Sequence, residues 1–142
     1  MLQQGHWREA QQLLEQGVDK VPAHYPFAQL LARIYVEHGA EEKALTVMEE
    51  SRRAGASNPD YLAFLAALYQ RTGKHAEAVN TYKEAVMLNP REGRAWLGLA
   101  ISLEAVQDWN NAGAAYQRAI GSGTLDDNLL KYARQRLAVV KK

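Results

Sequence analysis

The residues that could hold a metal or act as acid and base are few and lie apart along the chain. No two of the four histidines have the i, i+3 or i, i+4 spacing that places two metal ligands on one helix face. The histidines are His6, His24, His38 and His75. Adjacent carboxylates on a helix point about 100° apart and do not form a catalytic acid–base pair. Such pairs are Glu41-Glu42, Glu49-Glu50 and Asp126-Asp127. We therefore expect no metal site.

Nucleophilic and thiol chemistry lack their usual motifs in this sequence. The chain has no cysteine, which excludes thiol catalysis and cysteine-based zinc sites. It also has no serine nucleophile elbow and no glycine-rich phosphate loop that follows a strand. The sequence therefore predicts a protein that is not an enzyme and that needs no cofactor.

Clusters of basic residues raise the question of nucleic-acid binding. The candidates are Arg52-Arg53, Arg91 with Arg94, and a basic C-terminal stretch. The chain nevertheless contains 17 Lys and Arg against 16 Asp and Glu, a net charge of +1, whereas proteins that bind phosphate backbones normally carry a large basic excess. No run of about 18 apolar residues is present either. We expect neither nucleic-acid binding nor membrane contact by this segment.

The spacing of apolar residues indicates helices throughout the chain. Apolar residues recur at intervals of three and four, with Ala, Leu, Glu, Gln and Arg between them, and no stretch alternates as a strand does. The 142 residues, 47% of them hydrophobic and 23% charged, are typical of one globular domain. We therefore expect a single all-α domain.

A period near 34 residues organises these helices. The breaks fall at Gly5, Gly39, Gly73 and around Asp108, with spacings of 34, 34 and 35 residues. Apolar and small residues recur in register at this period. The columns are Leu31-Ala32, Leu65-Ala66 and Leu99-Ala100; Ala10, Ala44, Ala78 and Ala112; and Leu14, Met48, Tyr82 and Tyr116. Since one helix pair cannot bury its own apolar faces, we expect neighbouring pairs to stack.

These columns resemble the tetratricopeptide repeat, a 34-residue helix–turn–helix unit. The unit that begins at Pro59 matches its pattern at Leu62, Leu65, Ala66, Tyr69, Gly73, Ala78, Tyr82, Ala85 and Pro90. The resemblance implies a right-handed solenoid of antiparallel helix pairs. It divides the chain into a half-repeat that has only its second helix (1–24), full repeats at 25–58, 59–92 and 93–126, and a capping helix at 127–142.

The two ends of the chain depart from the repeat. Because the chain starts inside a unit, we interpret it as the C-terminal part of a longer protein. At the other end, Thr124 with Asp127 predicts a capping box, and Asp126 and Asp127 suit a helix N-terminus. Arg134 stands where a repeat needs a small residue, which predicts a cap rather than a fourth unit.

The resemblance also implies a groove lined by the first helix of each unit, at its second, fifth, sixth, ninth, twelfth and thirteenth positions. These positions hold Pro26, Gln29, Leu30, Arg33, Val36 and Glu37, then Asp60, Ala63, Phe64, Ala67, Gln70 and Arg71, then Arg94, Leu97, Gly98, Ile101, Glu104 and Ala105. In the capping helix, Lys131 and Gln135 extend the surface. One subfamily binds a C-terminal carboxylate with Lys and Asn at the fifth and ninth positions, and this chain has neither residue there.

The groove positions predict a surface that binds an apolar helix or extended segment of a partner protein. The floor is apolar and edged by arginines, and the stretch from Trp96 to Ile101 is apolar all round. The predicted partner-binding residues are Arg33, Ala63, Phe64, Ala67, Arg71, Arg94, Leu97 and Ile101. The alternative is that Phe64, Leu97 and Ile101 only pack against their neighbours.

Three stretches are similar to the C-terminal repeats of the MshN family of mannose-sensitive haemagglutinin (MSHA) type IV pilus biogenesis proteins. They are residues 61–78, 95–105 and 129–137. This similarity implies the periplasmic part of an inner-membrane-anchored bacterial protein that acts as a scaffold in pilus assembly. The alternatives are a cytoplasmic adaptor or chaperone-like peptide binder, and a homo-oligomer joined through Leu13 and Leu14 of the half-repeat.

Overall fold

The computed structural model describes residues 8–13, 15–16 and 25–141, and within these residues every regular element is a helix. Residues 8–13 and 15–16 are helical. The helices that follow are α1 (Tyr25–Glu37), α2 (Glu41–Glu50), α3 (Arg52–Gly55), α4 (Pro59–Arg71), α5 (His75–Leu88), α6 (Gly93–Ala105), α7 (Trp109–Gly121) and α8 (Asp127–Val140). The predicted all-α fold is confirmed.

The chain divides into two compact units between residues 57 and 58. In the first unit, α1 and α2 pack against each other, and the short α3 contacts both. The Tyr35 hydroxyl donates a hydrogen bond to Glu15 Oε1 at 2.7 Å, which ties the N-terminal helical residues to α1. Small side chains are fully buried where α1 and α2 meet, and their size lets the two helices approach closely. These residues are Ala28, Ala32 and Ala44.

In the second unit, two helix pairs stack and a last helix covers the end of the stack. Helix α4 pairs with α5 and α6 pairs with α7, while α5 packs on α6 and α7 packs on α8. The Leu-Ala pair of each first helix and the recurring alanine of each second helix are buried. These residues are Leu65, Ala66, Ala78, Leu99, Ala100 and Ala112. The recurring columns of the sequence therefore mark the helix–helix contacts that hold the stack together.

The turn between the two helices has the same shape in the pairs α1/α2, α4/α5 and α6/α7. One residue of each turn has a positive φ, which is 75° at Gly39, 80° at Gly73 and 65° at Gln107. The backbone N–H of the next residue donates to the carbonyl five positions earlier, at 2.8 to 2.9 Å. This is a Schellman turn, whose left-handed residue is usually glycine. The sequence predicted the third break around Asp108, but it lies at Gln107, so the 34-residue period is strict.

The start of α8 differs from the predicted capping box. Asp126 is the N-cap, and its Oδ1 accepts a hydrogen bond from the backbone N–H of Leu129 at 2.8 Å. Thr124 Oγ1 instead accepts from the backbone N–H of Gly93 at 3.0 Å. The prediction of a Thr124–Asp127 capping box is therefore wrong. The acidic pair nevertheless stands at the helix N-terminus, where negative charge is favourable.

Helix α8 packs on α7. Its buried residue is Ala133, which lies 34 positions after Leu99, whereas Arg134 is exposed. Its C-terminal part packs on α7 beside Gly113, where an added Cβ would lie 3.6 Å from Val140 Cγ2. One side of α8 thus contacts the preceding helix, and its exposed residues include Lys131 and Arg134 beside the apolar Tyr132 and Val139.

We expect Gln107→Gly to stabilise the second unit, because a residue with a Cβ pays roughly 1 kcal/mol or more in the left-handed conformation. The free energy of unfolding should rise by roughly 0.5–1 kcal/mol in urea denaturation. The control Gln117→Gly makes the same exchange on the exposed face of α7 and should lower the free energy of unfolding by a similar amount. Destabilisation by both variants would contradict the assigned turn.

Candidate functional site

Most of the predicted groove residues lie on α4 and α6, the first helices of the two pairs in the second unit. The side-chain amide of Gln70 joins these helices, since its Nε2 donates to the Gly98 carbonyl at 3.0 Å and to Ser102 Oγ at 2.9 Å. Arg33 is exposed on α1 of the first unit. The other predicted residues are Ala63, Phe64, Ala67 and Arg71 on α4, and Arg94, Leu97 and Ile101 on α6.

The predicted residues on α4 and α6 differ in exposure. The partly exposed ones are Ala63, Phe64, Ala67 and Ile101, and the exposed ones are Arg71 and Arg94. Leu97 is only 5% exposed and belongs to the core. Leu97 therefore packs against its neighbours and offers little accessible surface.

Gly98, another predicted groove position, serves the packing of the repeats. A Cβ added to Gly98 would come within 3.0 Å of the Tyr82 ring, so this tyrosine of α5 lies directly on the α6 backbone. Tyr82 is 5% exposed, and burial raises the pKa of its hydroxyl to about 12. Of the predicted groove positions Leu97, Gly98 and Ile101 on α6, only Ile101 remains partly exposed.

Glu104, at the twelfth position of its repeat, connects three helices. The Tyr116 hydroxyl of α7 donates to Glu104 Oε1 at 3.0 Å, and Arg136 Nε of α8 donates to the same oxygen at 3.1 Å. The Nη2 of Arg136 donates to the other carboxylate oxygen. Such a bidentate pair of a guanidinium and a carboxylate is stronger than a neutral hydrogen bond. It attaches the capping helix to the end of the first-helix face.

These contacts also set the charges of the three groups. Burial alone would raise the pKa of Glu104, but hydrogen bonds from Arg136 and Tyr116 outweigh it and hold that pKa below the ordinary 4.5. Burial and the adjacent Glu104 carboxylate raise the pKa of the Tyr116 hydroxyl. At neutral pH the carboxylate is therefore ionised and the phenol is protonated, which is the state that these hydrogen bonds require.

Glu104 repeats, one unit later, the role of Gln70. Gln70 bonds to Ser102 and Glu104 bonds to Arg136, and in both cases the partner lies 32 residues further on. Helix α8 thus stands where the first helix of a further repeat would stand. Gln70 and Glu104 were predicted to line the groove, and their bonds to the following helices were not predicted. The equal spacing of 32 residues was the signal that could have found them.

The described histidines make hydrogen-bond contacts within the fold. His75 Nδ1 lies 3.3 Å from Ser102 Oγ, and His38 Nδ1 lies 2.9 Å from the Ile34 carbonyl oxygen. Among the residues that the structure describes, no group of three or more His, Asp or Glu side chains could hold a metal ion. The predictions for the remaining histidines fall outside the described residues; these are His6 and His24.

Three further predictions concern self-association through Leu13 and Leu14, the surface of α8 and contact with a membrane. Leu13 is 69% exposed, whereas Leu14 lies outside the described residues. Lys131 and Gln135 are exposed on α8. Within the described ranges, none of the helices combines the length and the apolar character that crossing a bilayer demands.

Comparison with known sequences identifies a repeat family. Two models of the tetratricopeptide repeat match the chain, one over residues 1–68 and the other over residues 65–127. A curated relative, the heat-shock protein cognate (HSC) co-chaperone sgt12 of Aspergillus fumigatus, is 29% identical over 87 residues. The match covers 59% of this chain and 26% of the relative, so the chain spans about a quarter of that protein's length.

Solved structures share the fold at low sequence identity. A crystal structure of MamA has a TM-score of 0.82 and 15% identity, covering 96% of this chain and 72% of that one. The structure of PcrH in complex with the chaperone binding region of PopD has a TM-score of 0.73 and 17% identity, covering 80% of this chain and 88% of that one. These likenesses confirm the predicted tetratricopeptide solenoid fold.

We expect Glu104→Gln to weaken the second unit in a pH-dependent way. Because the pKa of Glu104 is lowered by folding, this carboxylate contributes stability above pH 4.5 that is lost as the pH falls towards its folded value. At pH 7 the variant should lose roughly 1 kcal/mol of unfolding free energy, and the difference from the parent should shrink below pH 4.5 in urea denaturation.

The control for this measurement is Glu77→Gln, which removes an exposed carboxylate on α5. It should change stability by a few tenths of a kcal/mol only. A Glu104→Gln difference that stays constant down to pH 3 would show that the ion pair with Arg136 does not stabilise the fold.

Proposed function

This chain belongs to the tetratricopeptide repeat family, and we propose that it is a non-enzymatic scaffold that binds a segment of another protein on its second unit. The contact area is the groove surface of α4 and α6, with an arginine at each edge. The groove surface consists of Ala63, Phe64, Ala67 and Ile101, and its edges are Arg71 and Arg94.

The observation that carries this proposal is that apolar side chains stay partly exposed on two adjacent first helices. The residues that stack the repeats are buried, with Leu65 at 0% and Leu99 at 4% exposure. The groove surface keeps accessible area on the same helices. Its alanines let a partner's backbone approach α4, while Phe64 and Ile101 offer larger apolar contacts. This composition favours an apolar helix or an extended segment.

The arginines at the edges of the groove surface favour a partner segment that carries acidic residues beside its apolar ones. The guanidinium of Arg94 lies 3.9 Å from the Asp126 carboxylate, and both side chains are more than half exposed. A pair so open to solvent contributes little to stability, so Arg94 can exchange it for a carboxylate of the partner. Arg71 is exposed at the end of α4. Arg33 lies on α1 of the first unit and is a separate prediction.

Similar proteins support a protein ligand over a small molecule. PcrH forms a complex with the chaperone binding region of PopD, and the relative sgt12 is a co-chaperone. The Lys and Asn of the carboxylate-binding subfamily are replaced here by Ala63 and Ala67 on α4 and by Leu97 and Ile101 on α6. We therefore propose recognition of an apolar segment rather than of a C-terminal carboxylate.

The double variant Ala67→Glu, Ile101→Glu is expected to lose peptide binding, because a partner would bury two unpaired carboxylates. Peptides are selected on the intact chain from a random phage-displayed library, and the Kd of a selected peptide is measured by fluorescence anisotropy. We expect the Kd to rise roughly tenfold or more. Leu97 is left unchanged, since a charge at this buried position would disrupt the core.

The matched control is Ala76→Glu, Ala114→Glu, which adds the same charge to exposed alanines of the second helices α5 and α7. This variant should bind the selected peptide as the parent does. Equal losses in both variants would attribute the effect to net charge, and unchanged binding by the groove variant would refute the proposed surface.

We further propose that this scaffold acts in bacterial type IV pilus biogenesis of the MSHA kind, on the periplasmic side. The support is the sequence similarity over residues 61–78, 95–105 and 129–137, which lie largely on the helices α4, α6 and α8. The competing proposals are a cytoplasmic adaptor and a self-associating module.

A pull-down from a bacterial envelope extract tests the pilus proposal, with the intact chain and the Ala67→Glu, Ile101→Glu variant as baits. We expect a pilus-assembly protein to be captured by the parent and lost with the variant. Capture of cytosolic clients alone, or of the same proteins with both baits, would contradict this role.

A further inference from the structure

A recess whose lining shares no residue with the groove surface lies where α6 begins and α7 ends. It is formed by the loop between α5 and α6 and by the C-terminal end of α7, and its volume is about 590 Å³. We name it the basic pocket. Its lining residues are Pro90, Arg91, Gln117, Arg118, Gly121, Ser122 and Thr124.

The basic pocket carries two guanidinium groups and no acidic lining residue. Arg91 and Arg118 are both exposed, and neither forms an ion pair with any residue that the structure describes. The Arg118 guanidinium lies 4.7 Å from the centroid of the Trp96 ring, a cation–π contact. The indole is itself held in place, because its Nε1 donates to the Pro90 carbonyl at 2.8 Å. Arg118 is thus positioned at the pocket without being neutralised.

Three backbone carbonyls at the end of α7 accept hydrogen bonds from the turn that follows the helix. The Ala119 carbonyl accepts a hydrogen bond from Ser122 Oγ at 2.6 Å, and the Arg118 carbonyl accepts from the Ser122 N–H at 3.1 Å. The Ile120 carbonyl accepts from the Gly123 N–H at 3.4 Å. These bonds supply a donor to three of the carbonyls that a helix C-terminus leaves without intrahelical partners, and the charged groups that line the pocket are the two guanidinium groups.

The two acidic residues nearest in sequence form no ion pair with Arg91 or Arg118. Glu92 caps α6, with its Oε1 accepting from the Arg94 N–H at 3.3 Å. Asp126 caps α8 and lies 3.9 Å from the Arg94 guanidinium. The positive charge of the basic pocket therefore remains available to a ligand.

The two arginines are not part of the repeat pattern. At the position of Arg118, the two preceding repeats carry Glu84 and Glu50, each 34 residues earlier. At the position of Arg91, the preceding repeat carries Ser57. Stacking of the repeats therefore does not require arginine at either position. The two cations meet at this recess because the loop that ends the second repeat lies beside α7 of the third.

We propose that the basic pocket is a second binding site, which takes an anionic group of a peptide, either a cluster of side-chain carboxylates or a phosphate ester. Guanidinium groups bind both oxyanions in a bidentate manner. The site is separate from the groove surface, because Trp96 and Ile101 point about 140° apart on α6. A partner could thus be held by its apolar segment in the groove and by an anionic segment here.

Three fluorescein-labelled peptides of one scaffold test this proposal: one with four consecutive glutamates, one with a single phosphoserine and one with glutamines in place of the glutamates. Binding to the intact chain is followed by fluorescence anisotropy. We expect one or both anionic peptides to bind, more weakly as the salt concentration rises, and the glutamine peptide not to bind. The anionic peptide with the lower Kd shows whether the pocket prefers side-chain carboxylates or a phosphate ester.

The variant Arg91→Gln, Arg118→Gln should weaken this binding by roughly tenfold or more. Its matched control is Lys83→Gln, Arg134→Gln, which removes two exposed cations from α5 and α8 and should bind as the parent does. Circular dichroism of each variant checks that the fold is retained. No binding of either anionic peptide, equal losses in both variants, or equal binding of the glutamine peptide would overturn the proposal.

The groove variant Ala67→Glu, Ile101→Glu separates this proposal from the proposed function. It should bind the anionic peptides with little change, although it has lost the library-selected peptide. Loss of the anionic peptides in the groove variant, together with their retention in the Arg91→Gln, Arg118→Gln variant, would assign anion binding to the groove and refute the second site.

Discussion

The close approach of one helix pair to the next is the constraint on which the second unit depends. Gly98 lets the Tyr82 ring lie on the α6 backbone, and Ala66 and Ala100 are fully buried at equivalent positions of α4 and α6. These contacts bury much of the surface of each first helix, because small residues on one helix must face large residues on the next. The surface available to a partner is what stacking leaves exposed, which explains why it is narrow and lies next to buried core residues.

The helix pairs follow from the sequence because their cause is local and repeated. The 34-residue columns predicted the fold, and from residue 31 onward the column residues are buried in the structure. The turn at Gln107 was placed one residue late because glycine had served as the mark of a left-handed residue, and a glutamine leaves no such mark. The cap of α8 was misassigned for a different reason. Thr124 could have served as a cap, but its hydroxyl is bonded to Gly93, far away in sequence.

The candidate site was predictable only as a set of positions. Helix periodicity places Leu97 and Ile101 on one face, but Leu97 is buried and Ile101 partly exposed, and that difference depends on how neighbouring helices pack. The bond of Glu104 to Arg136 and the basic pocket depend on contacts between helices that are distant in sequence. A single sequence supplies the residue types for such contacts, whereas their partners emerge from the stacked structure.

The bond between Glu104 and Arg136 also bears on how such an array can grow by gene duplication. Gln70 is neutral and bonds to a carbonyl and a hydroxyl, groups that a following repeat can supply. Glu104 instead meets a guanidinium from the capping helix. A tandem copy of residues 93–126 would set the first copy's carboxylate against a serine, with no cation to compensate it. Such a copy would therefore exchange a charge-assisted bidentate pair for a hydrogen bond from a serine hydroxyl, while the bond from the copied Tyr116 would remain.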